Sequence, residues 1–152
     1  MSVSVHISQA TYKDLASVTH LFDQYRQFYG QPSDPEGAQA FLFRLMEHRE
    51  SVIFVAKDEE NGKAVGFAQL YPVFSSLSMQ RSWILNDLYV LKEYRNSGIG
   101  KQLLDAVSEY AVESKAKGIA LETGVGNKGA QKLYEQLGYT RDDEYYHYYL
   151  NL

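Results

Sequence analysis

The sequence predicts an α+β fold: a mixed central sheet, mostly antiparallel, with one parallel pair of strands and helices flanking the sheet. Three observations carry this expectation. The middle of the chain is rich in β-branched and aromatic residues over "SVIFVAK" and "AVGFAQLYPVF", and the "DEENGK" between them carries the Asn-Gly signal of a hairpin. Two stretches, "TYKDLASVTHLFDQYRQFYG" and "GKQLLDAVSEYAVESKAKG", repeat apolar residues at helical spacing. A strand, helix, strand succession from Trp83 to Thr123 requires a right-handed crossover, which makes its two strands parallel.

The elements follow in order. "SVHIS" is a short alternating strand. Thr11 caps the first helix, and Asp14 three residues on completes a capping box. Leu15, Val18, Leu21, Phe22, Tyr25 and Phe28 form its inner stripe, and Gly30 stops it. "QPSDPEG" is a loop. A second helix is expected over residues 35–49, with Phe41, Leu42, Leu45 and Met46 on one face. The hairpin strands come next, then the loop "SSLS" and the strand "RSWILNDLYV". A glycine turn, "LKEYRNSGIG", opens a helix whose inner stripe is Leu103, Leu104, Val107 and Ala111 and whose stop is Gly118. A buried strand is expected over residues 119–123, then a short helix in "GAQKLYEQLGY" closed by Gly138, then a final alternating strand in "DEYYHYYLNL".

The chain of 152 residues suits one domain, residues 1–152. Hydrophobic residues make up 45% and the net charge is −4, which reads as globular and argues against a nucleic-acid surface. No cysteine is present, so disulfides, thiolate metal sites and cysteine nucleophiles are excluded. His6, His20, His48 and His147 show no metal-ligand spacing. The start is neither basic nor apolar, and no stretch approaches the ~20 apolar residues of a membrane span. The expectation is a cytoplasmic protein without metal, membrane or nucleic-acid partner.

Two glycine motifs call for a ligand. Gly124, Gly126 and Gly129 spell G-x-G-x-x-G between a strand and a helix, but too little chain follows to build a dinucleotide half-domain. Gly100-Lys101 resembles the end of a phosphate loop, but Arg95 and Gln102 stand where glycine and a metal-binding hydroxyl belong. The turn from Arg95 to Gly100 is better placed. Glycines at 98 and 100 let successive N–H groups face one anion at a helix N-terminus, and Arg95 can add a side-chain contact. Spacing alone leaves this open between an anion cradle and an ordinary glycine turn with a helix cap.

"LNDLYVLKEYRNSGIGKQLLDAV" resembles the coenzyme A-binding segment of the GCN5-related N-acetyltransferase (GNAT) family. There a strand ends in a bulge and is followed by [RQ]-x-x-G-x-[GA], which Arg95, Gly98 and Gly100 match. "GNKGAQKLYEQLGY" resembles the family's second segment, N-x-x-A-x-x-x-Y-x-x-x-G-[FY], at Asn127, Ala130, Tyr134, Gly138 and Tyr139. The likeness covers the element order of essentially the whole chain. "LNDLYV" and "YPVFSS" look closest to the small-amine, polyamine and Hpa2-like histone branch.

The resemblance implies the acyl-CoA N-acyltransferase fold and direct acetyl transfer from acetyl-CoA to a primary amine of a small molecule or a lysine side chain. It implies that the parallel strands over residues 83–90 and 119–123 splay apart and that the backbone of Leu88, Tyr89 and Val90 binds the pantetheine arm between them. The N–H groups of Asn96, Ser97, Gly98, Ile99 and Gly100, with Lys101 and Arg95 near, hold the pyrophosphate. Asn127 helps to hold the cofactor, and Tyr134 is the general acid at the sulfur. Many relatives carry a Glu base where this chain has Asn86, which cannot accept a proton at working pH. Asp87 is then the base or an amine binder, unless strand alternation turns it to the other side. Glu122 is a rival, and so is a water chain. The acceptor pocket is expected around Tyr25, Tyr29, Asp34, Asn86 and Glu122, with Tyr71 and Phe74 as a second wall. A homodimer is expected, by the family and by the tyrosines of the last strand. The alternative is a catalytically weak acyl-CoA-binding regulator or scaffold on the same fold, favoured by Asn86 and opposed by Tyr134.

Overall fold

A computed structural model describes residues 3–152. The chain divides into a first unit that ends at Leu121 and a second, Glu122–Leu152.

The first unit runs β1 (Val5–Gln9), a 3-10 turn (Tyr12–Asp14), α1 (Leu15–Phe28), α2 (Pro35–Glu47), β2 (Val52–Asp58), β3 (Ala64–Ser75), β4 (Gln80–Val90), a second 3-10 turn (Lys92–Tyr94), α3 (Ile99–Glu113) and β5 (Ile119–Ala120). The strands lie in sequence order in one sheet. The first three pairings are antiparallel and β4–β5 is parallel. This is the mixed sheet with one parallel pair that the pattern predicts.

Local chemistry places the elements. The Thr11 hydroxyl accepts from the Lys13 N–H at 3.3 Å, and the Asp14 carboxylate accepts from the Thr11 N–H at 2.9 Å, which closes the capping box. Asp14 also pairs with Lys57 of β2 at 2.6 Å, tying the start of α1 to the sheet. Gly62 has φ 74°, and the Asp58 N–H donates to the Lys63 carbonyl at 2.8 Å across the β2–β3 hairpin. Asp23 of α1 accepts from the Ser33 hydroxyl and the Asp34 N–H, both at 2.7 Å, and so fixes where α2 begins. Val18 and Leu21 of α1, Phe67 and Leu70 of β3 and Leu103 and Leu104 of α3 are fully buried. Phe22 of α1 packs edge-on to Phe67 at 6.2 Å, whereas Tyr110 of α3 packs against Trp83 at 5.5 Å.

The β3–β4 ladder has one irregularity. The two strands pair residue by residue from Ser75↔Gln80 to Leu70↔Leu85, then step to Gln69↔Asp87. Asn86 is therefore the extra residue of a β-bulge. Before the bulge, Trp83 faces α3; after it, Tyr89 packs on Tyr25 of α1 at 5.9 Å. A single added residue moves the odd-numbered side chains of β4 to the other face of the sheet.

The parallel pairing of β4 with β5 is confined to Trp83↔Ile119 and Ile84↔Ala120. The strand expected over residues 119–123 is thus shorter than its sequence pattern. Beyond Ile84, β4 continues to Val90 with no β5 residue paired to it.

The second unit contains α4 (Lys128–Gln136), capped by the Asn127 carboxamide oxygen, which accepts from the Ala130 N–H at 3.3 Å. Gly138, at φ 98°, closes it. The expected final strand in "DEYYHYYLNL" is corrected: no residue after α4 is in a strand, and Tyr145, Tyr146, Tyr148 and Tyr149 are exposed. Alternation describes an amphipathic edge, but a strand exists only where a neighbour accepts its hydrogen bonds, and the second unit has no strand to offer. No helix among the described residues is long and apolar enough to cross a membrane.

The two faces of α3 give a direct test of this packing. Leu103→Ala should lower the unfolding free energy by about 3 kcal/mol in urea titrations, the usual cost of a cavity under a buried leucine. Val112→Ala, at an exposed position of the same helix, should stay within about 0.5 kcal/mol of the parent.

Candidate active site

The bulge sets Asp87 on the α1 face of the sheet, 4% exposed, beside Gln69 of β3, which is wholly buried. Gln69 Nε2 donates to Asp87 Oδ2 at 2.7 Å and to the Tyr71 hydroxyl at 3.1 Å. Asn86 Nδ2 donates to Asp87 Oδ1 at 3.1 Å, and the Tyr25 hydroxyl donates to the same carboxylate. Simple alternation would turn Asn86 and Asp87 to opposite faces; the bulge instead brings the Asn86 amide onto the Asp87 carboxylate. The Oε1 of Gln69 is buried and accepts from no protein donor among the described residues.

Burial pushes the Asp87 carboxyl above the usual carboxylate range, and the hydrogen bonds from Gln69, Tyr25 and Asn86 recover only part of that shift. Burial, with the charge of Asp87 behind it, raises the hydroxyls of Tyr25 and Tyr71 as well. The two tyrosines are therefore neutral hydrogen-bonding groups at physiological pH. Asp87 is the one member of the cluster whose affinity for a proton is moved toward neutrality, which is what a general base needs.

Aromatic residues from the end of α1 stand over this cluster. Tyr25 packs on Tyr29 at 5.1 Å and on Tyr89 at 5.9 Å, and Phe28 packs on Tyr29 at 5.2 Å. Phe28 and Tyr29 are exposed. Asp34, expected in the acceptor pocket, is used elsewhere: its carboxylate accepts from the Gly37 N–H at 3.0 Å as the N-cap of α2. Gln69 is the part of the cluster that strand patterning passes over, and a glutamine inside an otherwise apolar strand is its only sequence signal; Tyr71, expected as a pocket wall, joins the cluster through Gln69.

β4 leads directly into the glycine turn. The Tyr94 hydroxyl donates to buried Asp58 at 2.9 Å and anchors the start of the turn. Asn96 and Gly98 have φ of 61° and 82°, so the backbone reverses hand twice before α3. Gly98 is the N-cap of α3 and supplies no side chain to its first N–H groups. Apart from its chain neighbours and the adjoining backbone of α3, no atom lies within 4 Å of where a Cβ at Gly100 would stand. Left-handed backbone, uncapped N–H groups and open space together fit a pyrophosphate. Lys101 Nζ pairs with Asp105 at 2.9 Å along the helix. Arg95 turns toward the sheet: its Nε donates to the Val90 carbonyl at 2.8 Å, and its guanidinium lies over the rings of Phe28 and Tyr89. The edge of β4 past Ile84, which carries Leu88, Tyr89 and Val90, fits an extended amide-bearing arm laid alongside it.

In the second unit, Tyr134 lies within α4, its ring 5.8 Å from that of Tyr139. Asn127 caps that helix, and Glu122 is exposed. Gly124, Gly126 and Gly129 are absent from the positive-φ residues, unlike Gly98. They therefore lack the left-handed turn that a phosphate-binding glycine loop uses. Among the described residues no group of His, Asp and Glu is arranged to hold a metal ion.

The sequence model of the acetyltransferase (GNAT) family matches residues 16–139. An uncharacterized N-acetyltransferase, YhfO of Bacillus subtilis (strain 168), is 49% identical over 97% of this chain and 98% of its own. The D-amino-acid N-acetyltransferase HPA3 of Saccharomyces cerevisiae is 29% identical over 88% of this chain and 84% of its own. A crystal structure of a probable acetyltransferase superposes with a TM-score of 0.92 at 42% identity, covering 97% of each chain.

The raised carboxyl of Asp87 has a consequence for stability that needs no assay of activity. Below the pKa of an unfolded aspartate, about 3.9, both states are protonated and the residue costs nothing. As pH rises, the unfolded chain loses its proton first, so folded stability falls until the folded carboxyl ionises too. Asp87→Asn removes this loss. Urea titrations from pH 4 to pH 8 should show the variant gaining on the parent as pH rises; a constant difference would contradict the raised pKa.

Proposed function

The chain belongs to the GNAT acetyltransferase family, whose members use acetyl-CoA as acetyl donor, and from that premise we propose how this N-acetyltransferase divides the work among its residues. The acceptor is a primary amine, either of a small cationic molecule or of a lysine side chain. The observation that carries this reading is the buried, hydrogen-bonded Asp87 with its raised pKa, set beneath the aromatic end of α1. The likeness to HPA3 supports the small-amine and Hpa2-like side of the family.

In this reading Asp87 takes a proton from the ammonium group, leaving a neutral amine and a neutral carboxylic acid. The amine nitrogen attacks the thioester carbonyl, forming the new C–N bond. Backbone N–H groups of Leu88 to Val90 polarise the thioester oxygen as charge develops on it. The C–S bond then breaks, the nitrogen releases its remaining excess proton to solvent, and Tyr134 protonates the departing thiolate. The N–H groups from Asn96 to Gly100, with Lys101, hold the pyrophosphate, and Asn127 assists. Asn86 keeps Asp87 in place rather than serving as a base. Tyr25 and Tyr29 receive the acceptor; Asp34, as a helix cap, shapes that side at a remove, and Glu122 remains a second contact for the amine. We further propose that two copies associate through the exposed, tyrosine-rich tail.

Acetyl-CoA should raise the melting temperature, and thiol release should follow with at least one of n-butylamine, spermidine, a D-amino acid, an aminoglycoside and Nα-acetyl-lysine amide. Gly100→Asp should abolish the thermal shift, because it sets a carboxylate where the pyrophosphate is received. Tyr134→Phe should lower kcat by about 10²-fold while leaving the shift intact. A normal kcat in Tyr134→Phe would remove it from the acid role, and no shift in the parent at millimolar acetyl-CoA would overturn the reading as a whole.

A further inference from the structure

The motif that opens the glycine turn assigns Arg95 to the cofactor, but its side chain is engaged on the other side of the turn. Its Nε donates to the carbonyl of Val90, the last residue of β4, at 2.8 Å. Its guanidinium carbon lies 5.2 Å from the ring centre of Phe28 and 5.4 Å from that of Tyr89. Phe28 is the last residue of α1, and Tyr89 lies on β4 just beyond Asp87. The Tyr89 ring packs on Tyr25, whose hydroxyl donates to Asp87. A single side chain thus touches the cofactor turn, the end of α1 and the strand that carries the carboxylate.

We propose that Arg95 is a positioning residue for the acceptor site. It clamps the aromatic end of α1 against β4 and leaves the pyrophosphate to the backbone of the turn and the N-terminus of α3. The inference rests on the acetyltransferase reading, to which it adds a second job for the turn. The chemistry explains why the position holds arginine. A planar guanidinium can stack on two rings while donating in its plane to a carbonyl. An ammonium on a flexible stem keeps the charge but cannot make that flat double contact. The clamp also joins the two substrates: the turn proposed to receive the pyrophosphate begins at the residue that pins the wall receiving the amine.

The test compares Arg95→Ala, Arg95→Lys and Phe28→Ala with the parent, after circular dichroism has shown each to be folded. Acetyl-CoA affinity is read by calorimetry, the order of the α1 end by amide hydrogen exchange over residues 24–30, and kcat and KM with whichever of the five amines turns over fastest. All three variants should bind acetyl-CoA within about twofold of the parent, exchange faster over residues 24–30, and raise the amine KM by about tenfold with a smaller change in kcat. Arg95→Lys should fail to rescue, and the double variant Arg95→Ala/Phe28→Ala should fall short of the sum of the two single effects, because the contact between them is lost in both. The proposal is overturned if Arg95→Ala weakens acetyl-CoA by more than about tenfold while Arg95→Lys restores it and exchange over residues 24–30 is unchanged. Failure of the parent itself to bind acetyl-CoA would strike the acetyltransferase reading instead, and calorimetry on the parent separates the two results.

Discussion

A carboxylate taken out of water costs several kcal/mol unless other donors replace its hydration, and Asp87 meets this constraint with three: the amides of Gln69 and Asn86 and the hydroxyl of Tyr25. Each donor comes from a different piece of local structure. Gln69 is its cross-strand partner on β3, Asn86 is the bulge residue, and Tyr25 comes from α1. Without the bulge, Asp87 would share a face with Trp83 and look toward α3, where apolar side chains would leave it unsatisfied. The bulge therefore decides both the register of β4 and the location of the buried carboxylate whose pKa is raised. Its raised pKa is the residue of an incomplete compensation, and on the proposed reading that incompleteness suits it to accept a proton.

The second constraint is the backbone. β4 must end, reverse hand at Asn96 and Gly98, and present the first turn of α3 without a side-chain cap. Anchoring from Tyr94 to Asp58 and from Arg95 to Val90 holds the entry to that turn. Asp87 and the glycine turn lie on consecutive stretches of chain, so in the proposed reading one strand and one turn align the amine side and the cofactor side of the reaction.

Much of this was legible in the sequence, for physical reasons that can be named. The Thr11–Asp14 capping box and the Asn61–Gly62 hairpin are set by contacts a few residues long. The left-handed turn at Gly98 is set by the absence of a Cβ. Gln69 was not legible, because its importance comes from lying across from Asp87, and cross-strand register depends on where a bulge falls. Asp34 looked free to bind an amine, yet an aspartate before Pro35-Glu36-Gly37 is equally a helix cap, and the cap is what forms. The tail "EYYHYYLNL" has strand composition, but pairing is a property of two segments, and one segment cannot reveal whether its partner is there. The G-x-G-x-x-G at Gly124 to Gly129 shows the converse: the spacing is present without the left-handed backbone that would give it meaning.

The central claim is that Asp87 removes the proton from the amine, and turnover by Asp87→Asn at saturating acetyl-CoA tests it most directly. The predicted result is a fall in kcat/KM for the amine of about 10²- to 10⁴-fold, the usual worth of a positioned general base. The same variant should bind acetyl-CoA as the parent does, and its remaining activity should lose the rise with pH that the carboxylate imposes. Turnover within a few-fold of the parent, with the same pH profile, would contradict it and pass the role to Glu122 or to solvent.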